Sequence, residues 1–356
     1  HFQTAIDTKD INNITNVKNN KNTTLSTSES DNLNNELLSR LNWYLDKTTN
    51  NKKSLNYSKG DNVRIALIDS GVDASHPLIK NSIDLKNAKS FVKKEKYIDD
   101  TNGHGTMVAG VISQVSPNAQ ITPYRVLSSV DGESMWSLQA LIKAIHDKQD
   151  IINMSLGTYK SENIKDEKLT IEAFKRAVKL ANKKDILIVT SSGNKSLDLD
   201  NNYSLDKTLH LPGDLEGVIT VSSTNKHDTL ANYSNIGTPV DFTAPGGEVV
   251  IDENGALDAR EMIYTSYPSK LGNVYKEAGI PNGYTLTYGT SFSAGAVTGI
   301  FSNYYSYHFK QKSKKPSVQE SIYNISKSSK DLGPVGKDKK YGFGLPDPLK
   351  AYELID

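Results

Sequence analysis

A β-branched run, Val63-Arg64-Ile65-Ala66-Leu67-Ile68, stops at Asp69, and no other stretch restricts the fold as much. Near-continuous apolar runs of this length suit strands buried on both faces, as in parallel sheets sandwiched between helices. Helix-then-strand units follow it. Leu138, Leu141, Ile142 and Ile145 recur at i, i+3, i+4 and i+7, one helical face, ahead of the strand Ile151-Ile152-Asn153-Met154. Ile171, Phe174, Val178 and Ala181 repeat that stripe ahead of Ile186-Leu187-Ile188-Val189, and a further strand is predicted at Gly217-Val218-Ile219-Thr220-Val221. Such alternation predicts an α/β protein of three layers, a mostly parallel central sheet with helices on both faces. No repeat of fixed period is present, which excludes solenoids and propellers.

The 356 residues exceed the usual single-domain size, yet α/β proteins of this length often form one domain. Residues 11–35 hold nine Asn among Ser, Thr, Lys and Asp, a composition that cannot bury enough surface to fold alone. Residues 1–41 are therefore expected to be a polar N-terminal tail or pro-segment remnant, and 42–356 the folded domain.

With no cysteine, the chain has no disulfides, no thiolate metal site and no cysteine nucleophile, so any covalent chemistry falls to Ser, Thr, Asp, Glu, Lys or His. A formal net charge of +1 supplies no whole-molecule attraction to nucleic acid or anionic lipid. No stretch approaches the roughly 18 apolar residues that span a bilayer. The N-terminus lacks the apolar core of a signal peptide, so any export signal is expected to have been removed already.

Three polar positions stand out. Asp69, at the carboxyl end of a predicted parallel strand, lies where open α/β sheets place their sites, but alone it could bind Mg²⁺, accept a phosphoryl group or cap a turn. His104 sits in Asn102-Gly103-His104-Gly105-Thr106-Met107-Val108-Ala109-Gly110, where small residues permit close helix packing; a lone His is more often structural. Ser291 lies in Tyr288-Gly289-Thr290-Ser291-Phe292-Ser293-Ala294-Gly295-Ala296-Val297, a glycine-led turn into a helix-like stretch. Its N–H would point out with the positive end of the helix dipole, where an oxyanion is stabilised, whereas an isolated Ser reads as an N-cap. The seven histidines form no His-x-x-x-His pair, so zinc chemistry finds no ligand set.

Together these segments resemble the Asp, His and Ser signatures of the subtilase family, in that family's chain order. Ser191-Ser192-Gly193-Asn194, Asp241-Phe242-Thr243-Ala244-Pro245-Gly246 and Tyr341-Gly342-Phe343-Gly344-Leu345 extend the resemblance from about Asn42 to the C-terminus. It implies a subtilisin-like fold and a serine endopeptidase with Asp69, His104 and Ser291 as catalytic triad. Asn194 would donate to the oxyanion beside the Ser291 N–H. Ser155, Leu156 and Gly157 would form one edge for an extended peptide, Gly132 within Asp131-Gly132-Glu133 the other, and Gly193 part of the second pocket wall. Asp198, Asp200 and Asp206, or Asp131 and Glu133, are either selectors of a basic residue before the cut or a solvated acidic loop.

No cofactor is implied. The calcium-binding loop that many subtilases insert between Ala109-Gly110-Val111-Ile112-Ser113 and Val115-Ser116-Pro117-Asn118-Ala119 is missing, so no strong calcium site is expected there, although oxygen-rich clusters elsewhere leave Ca²⁺ possible. Ser293, Gly295 in place of a proline, Met107 in place of a commoner His, and an insertion from about Glu253 to Tyr284 depart from the common pattern. The signatures are most similar to the lantibiotic leader peptidases of Gram-positive bacteria. That likeness implies a secreted, extracellular, monomeric enzyme whose partner is a lantibiotic precursor peptide. The alternatives are a general secreted subtilase and, more remotely, a peptide-binding pseudoprotease.

Overall fold

A computed structural model describes residues 41–355; the expectation for residues 1–40 lies outside it. A seven-stranded sheet carries the fold, with strand order β2-β3-β1-β4-β6-β8-β9 and every pairing parallel. The strands are β1 (Arg64–Asp69), β2 (Lys89–Ser90), β3 (Gln120–Arg125), β4 (Ile151–Met154), β6 (Leu187–Ser191), β8 (Ile219–Thr224) and β9 (Val240–Pro245). Two antiparallel pairs stand apart: β5 (Thr158–Ser161) with β7 (Thr208–Leu211), and β10 (Ile263–Ser266) with β11 (Tyr284–Thr287). The helices are α1 (Trp43–Thr48), α2 (His104–Val115), α3 (Ser134–His146), α4 (Lys165–Lys183), α5 (Leu199–Asp206), α6 (Thr290–Lys312), α7 (Val318–Ser328) and α8 (Pro348–Glu353).

Successive residues on a strand point to opposite faces, and β1 divides its side chains accordingly. Ile65 and Leu67 enter the core shared with Val108 and Ile112 of α2 and Val297 and Phe301 of α6. Ala66 and Ile68 enter the opposite core with Leu141 and Ile145 of α3 and Phe174 and Val178 of α4. The expected three layers are therefore present, each strand face sealed by a pair of helices.

Two local expectations shift. Ile142 is 37% exposed while Ala140 and Ala144 are buried, so the α3 stripe runs one position away from the predicted face, because small alanines let the helix approach the sheet. The strand predicted at 217–221 begins at Ile219 and runs to Thr224, because Gly217 has φ +93° and makes the turn into it. The 253–284 insertion contributes β10 and the excursion before β11. This hairpin lies on α2, where the Thr265 and Ser266 hydroxyls donate to the Met107 and Thr106 carbonyls, both at 2.8 Å. Between α2 and β3 the chain turns through residues 116–119.

Candidate active site

Asp69 ends β1, His104 opens α2 and Ser291 is the second residue of α6. Parallel strands with their helices behind them bring these three starts and ends to one edge of the sheet. His104 Nδ1 and Asp69 Oδ1 are 2.8 Å apart, and both side chains are buried. A carboxylate only accepts, so it holds the proton on Nδ1 and leaves Nε2 as the basic nitrogen. Ser70 N–H donates to the same Oδ1 at 2.7 Å. Burial lowers the His104 pKa, but the Asp69 charge, the Asp69 hydrogen bond and the Asp100 charge outweigh it and leave the ring above its ordinary value.

Ser291 Oγ donates to the Ser155 carbonyl at 3.0 Å. Transfer of its proton to His104 therefore needs the hydroxyl to turn away from that carbonyl. Ser155 Oγ donates to the Ser291 carbonyl at 2.9 Å, so the 155–157 segment is stitched to the α6 N-terminus. In the first helical turn the Ser291 N–H has no carbonyl four residues back to bond.

Asn194 Oδ1 accepts from Thr290 N–H at 2.8 Å and Thr290 Oγ at 2.7 Å. Both bonds require oxygen at that position, which makes the other end of the amide an NH₂ group. Gly289 enters the helix at φ +142°, ψ 158°, a conformation that L side chains rarely adopt. Its N–H donates to Gly246 O at 2.9 Å and to Tyr233 Oη at 3.1 Å. The Asp241-to-Gly246 and Gly289-to-Ser291 segments thus meet directly.

A subtilase family model matches residues 60–344. The chain belongs to the subtilase family. It is 30% identical over 318 residues to the epidermin leader peptide-processing serine protease EpiP of Staphylococcus epidermidis, covering 77% of this chain and 68% of that protein. It is 31% identical over 277 residues to the major intracellular serine protease of Bacillus subtilis, covering 74% of each. Among solved structures, that of a lanthipeptide protease matches with a TM-score of 0.85 and 33% identity, over 89% of this chain and 96% of that one. This subtilase is a serine endopeptidase.

The remaining sequence-predicted positions of this subtilase lie on several separate segments. Gly157 and Gly193 face a common floor formed by Tyr159 and His210. Gly132 is buried and bridges Leu127. Asp198 caps α5 through the N–H groups of Asp200 and Asn201. Asp200 pairs with Lys339 at 2.7 Å and accepts from Thr238, and Asp206 accepts from Thr208 N–H. Asp131 accepts from Ser128 Oγ at 3.0 Å. No helix among the described residues is long and apolar enough to cross a membrane. Among those residues no three His, Cys, Asp or Glu side chains gather as a metal site.

Sequence reasoning missed Asp100. Its Oδ1 accepts from Ser70 Oγ, Asn102 N–H and Gly103 N–H at 2.7–3.0 Å, and its Oδ2 from Thr106 N–H at 2.9 Å and Thr106 Oγ at 2.6 Å. It clamps the loop after Asp69 to the turn that presents His104. Burial pushes its pKa up against the pull of these bonds. The only signal was a carboxylate four residues before His104, indistinguishable in sequence from its exposed neighbour Asp99.

Proposed function

We propose that this subtilase removes the leader from a lantibiotic precursor peptide, acting outside the cell as a monomer, with residues 42–356 as its catalytic domain. The observation that carries this reading is the likeness to a lanthipeptide protease over 96% of that chain, joined to the relationship with an epidermin leader peptide-processing protease.

In the proposed mechanism Ser291 Oγ swings from the Ser155 carbonyl to His104 Nε2 and attacks the scissile carbonyl as His104 takes its proton. The C–O bond to Ser291 forms as the carbonyl π pair moves to oxygen. Asn194 Nδ2 and the Ser291 N–H donate to that oxyanion, a donor of this kind contributing on the order of 10²–10³-fold in turnover. Asp69 holds the imidazole in its tautomer and stabilises the imidazolium. His104 then gives the proton to the leaving amine, and water repeats the sequence on the acyl-enzyme. The Ser155-Leu156-Gly157 segment and Gly132 pair with the extended peptide. No step requires a cofactor.

The test is incubation of a lantibiotic precursor peptide with wild type and Ser291→Ala, with cut sites read by mass spectrometry. Wild type should cut once, at the leader boundary, and the variant should not cut. Cutting by both would remove Ser291 as nucleophile, while scattered cutting by wild type alone would favour a general subtilase.

A further inference from the structure

Arg125, the last residue of β3, lies beside Asp69 in the strand register and is 2% exposed, yet the bond-breaking chemistry does not use it. A guanidinium taken out of water is tolerated only when it is paired and hydrogen-bonded. Its Nε donates to Leu127 O at 3.1 Å and its Nη1 to Tyr97 O at 3.1 Å. Nη2 donates to Thr101 Oγ1 at 3.0 Å and to the Glu95 carboxylate. Glu95 is 42% exposed, so water competes for that ion pair, and the two carbonyls and the hydroxyl do most to fix where the fork lies.

Each of these contacts leads to the site by a short path. Leu127 is bridged to Gly132, and Ser128 N–H donates to Asp131 O at 2.8 Å. The Leu127 carbonyl is thus the root of the loop that offers Gly132 to an extended peptide. Tyr97 and Thr101 belong to the other arm, for Thr101 follows Asp100 and stands three residues before His104. Asn102 Nδ2 donates to Ser129 O at 3.4 Å, which links the two arms a second time. Gly71, two residues after Asp69, makes room for the arrangement: a Cβ there would fall 2.2 Å from Ile98 O and 3.2 Å from Arg125 Cδ.

We infer that Arg125 is a positioning residue for peptide cleavage, one guanidinium that holds the peptide-binding edge at Gly132 and the turn carrying His104 in a fixed relation. The inference rests on the triad reading above. In that reading the edge holds the scissile carbonyl and the turn holds the base, and a displacement of about 1 Å between such groups can cost about 10²-fold. Lysine does not replace the fork, because its ammonium is a point charge without the fixed directions of a planar guanidinium. Arg125→Lys therefore keeps a charge for Glu95 but cannot span Leu127, Tyr97 and Thr101 together. Thr101→Val isolates one arm, since it removes the hydroxyl and leaves the bonds to Leu127 and Tyr97 in place.

The experiment measures kcat and KM on an unstructured peptide for wild type, Ser291→Ala, Arg125→Lys and Thr101→Val. The rate of labelling by a serine-directed fluorophosphonate is measured beside them, because it needs His104 and Ser291 but not the peptide edge. Thermal melts set an assay temperature at which each variant is folded. Arg125→Lys should raise KM and slow labelling, each by about tenfold, and Thr101→Val should slow labelling by a smaller factor with KM as in wild type. A folded Arg125→Lys that keeps wild-type KM or wild-type labelling overturns the inference, because a merely structural arginine would change the melting temperature alone. Should Arg125→Lys not fold, wild-type labelling in Thr101→Val overturns it equally. Labelling that survives Ser291→Ala removes the triad reading and this inference with it; labelling lost in Ser291→Ala but unchanged in the other two variants sinks the Arg125 inference alone.

Discussion

In the proposed mechanism, His104 ties activity to pH. Its pKa stands above 6.5 because the Asp69 and Asp100 charges and the Asp69 hydrogen bond outweigh the burial that lowers it. In that mechanism only the neutral ring takes the Ser291 proton, so kcat/KM should fall as pH drops through a limb centred above 6.5. Stability runs the other way. A raised folded pKa favours the protonated folded state, so this contribution is complete below 6.5 and fades as pH rises through the folded value. Rates and melting temperatures from about pH 5 to 9 check both signs. Asp69→Asn should move the limb down and cost roughly 10⁴-fold in turnover, by analogy with other triads. A limb at or below 6.5 in wild type would refute the argument. His104 was singled out through the family resemblance; Asp100 was not, because five hydrogen bonds from four residues exist only once the loop is folded.

At the scale of elements, α2 lies close to the loop after β1 because Gly105 has no side chain. A Cβ at Gly105 would fall 2.0 Å from the Gly71 carbonyl oxygen, a backbone atom that cannot rotate away. Gly105→Ala should push α2 off that loop and separate His104 from Asp69, destabilising the protein by about 1–3 kcal/mol and slowing fluorophosphonate labelling of Ser291. Urea melts and labelling rates measure both, and wild-type values in each would show that the loop yields without cost. At this scale the sequence was read well where the hydrophobic period was long. Ile171, Phe174, Val178 and Ala181 are all buried on α4, whereas α3 turned its face because Ala140 and Ala144 count little in a pattern but pack closest.

Across the whole molecule, the segment before β1 ties together parts far apart in the chain. Trp43 Nε1 donates to Met262 O at 3.1 Å, Tyr44 Oη donates to Tyr264 O at 3.1 Å and accepts from Gln114 Nε2 at 2.7 Å. Asn50 Nδ2 donates to Asp347 Oδ1 at 2.8 Å. The hairpin of β10 and β11, the helix α2 and the start of α8 are thus held by one short stretch. Tyr44→Phe would leave the Tyr264 carbonyl and the Gln114 amide without their shared partner in a buried place. It should cost about 1–3 kcal/mol, seen as a lower denaturant midpoint with the slope unchanged. An unchanged midpoint would mean that water replaces the hydroxyl.

By itself the sequence determined the α/β class, the parallel sheet and the family resemblance, and it proposed Asp69, His104, Ser291 and Asn194 as site residues. Each of these is written locally, in a hydrophobic period or a short motif whose turn chemistry needs those residues. Tertiary structure decided which carboxylates are free. Asp198 and Asp200 read as a candidate pocket, yet they are consumed by a helix cap and by Lys339, more than a hundred positions away in the chain. It also decided that His210 turns Nε2 toward Gly157 and buries Nδ1, unpaired, on the Gly213 side. Burial and pairing are properties of the assembled neighbourhood, and no single segment of the chain carries them.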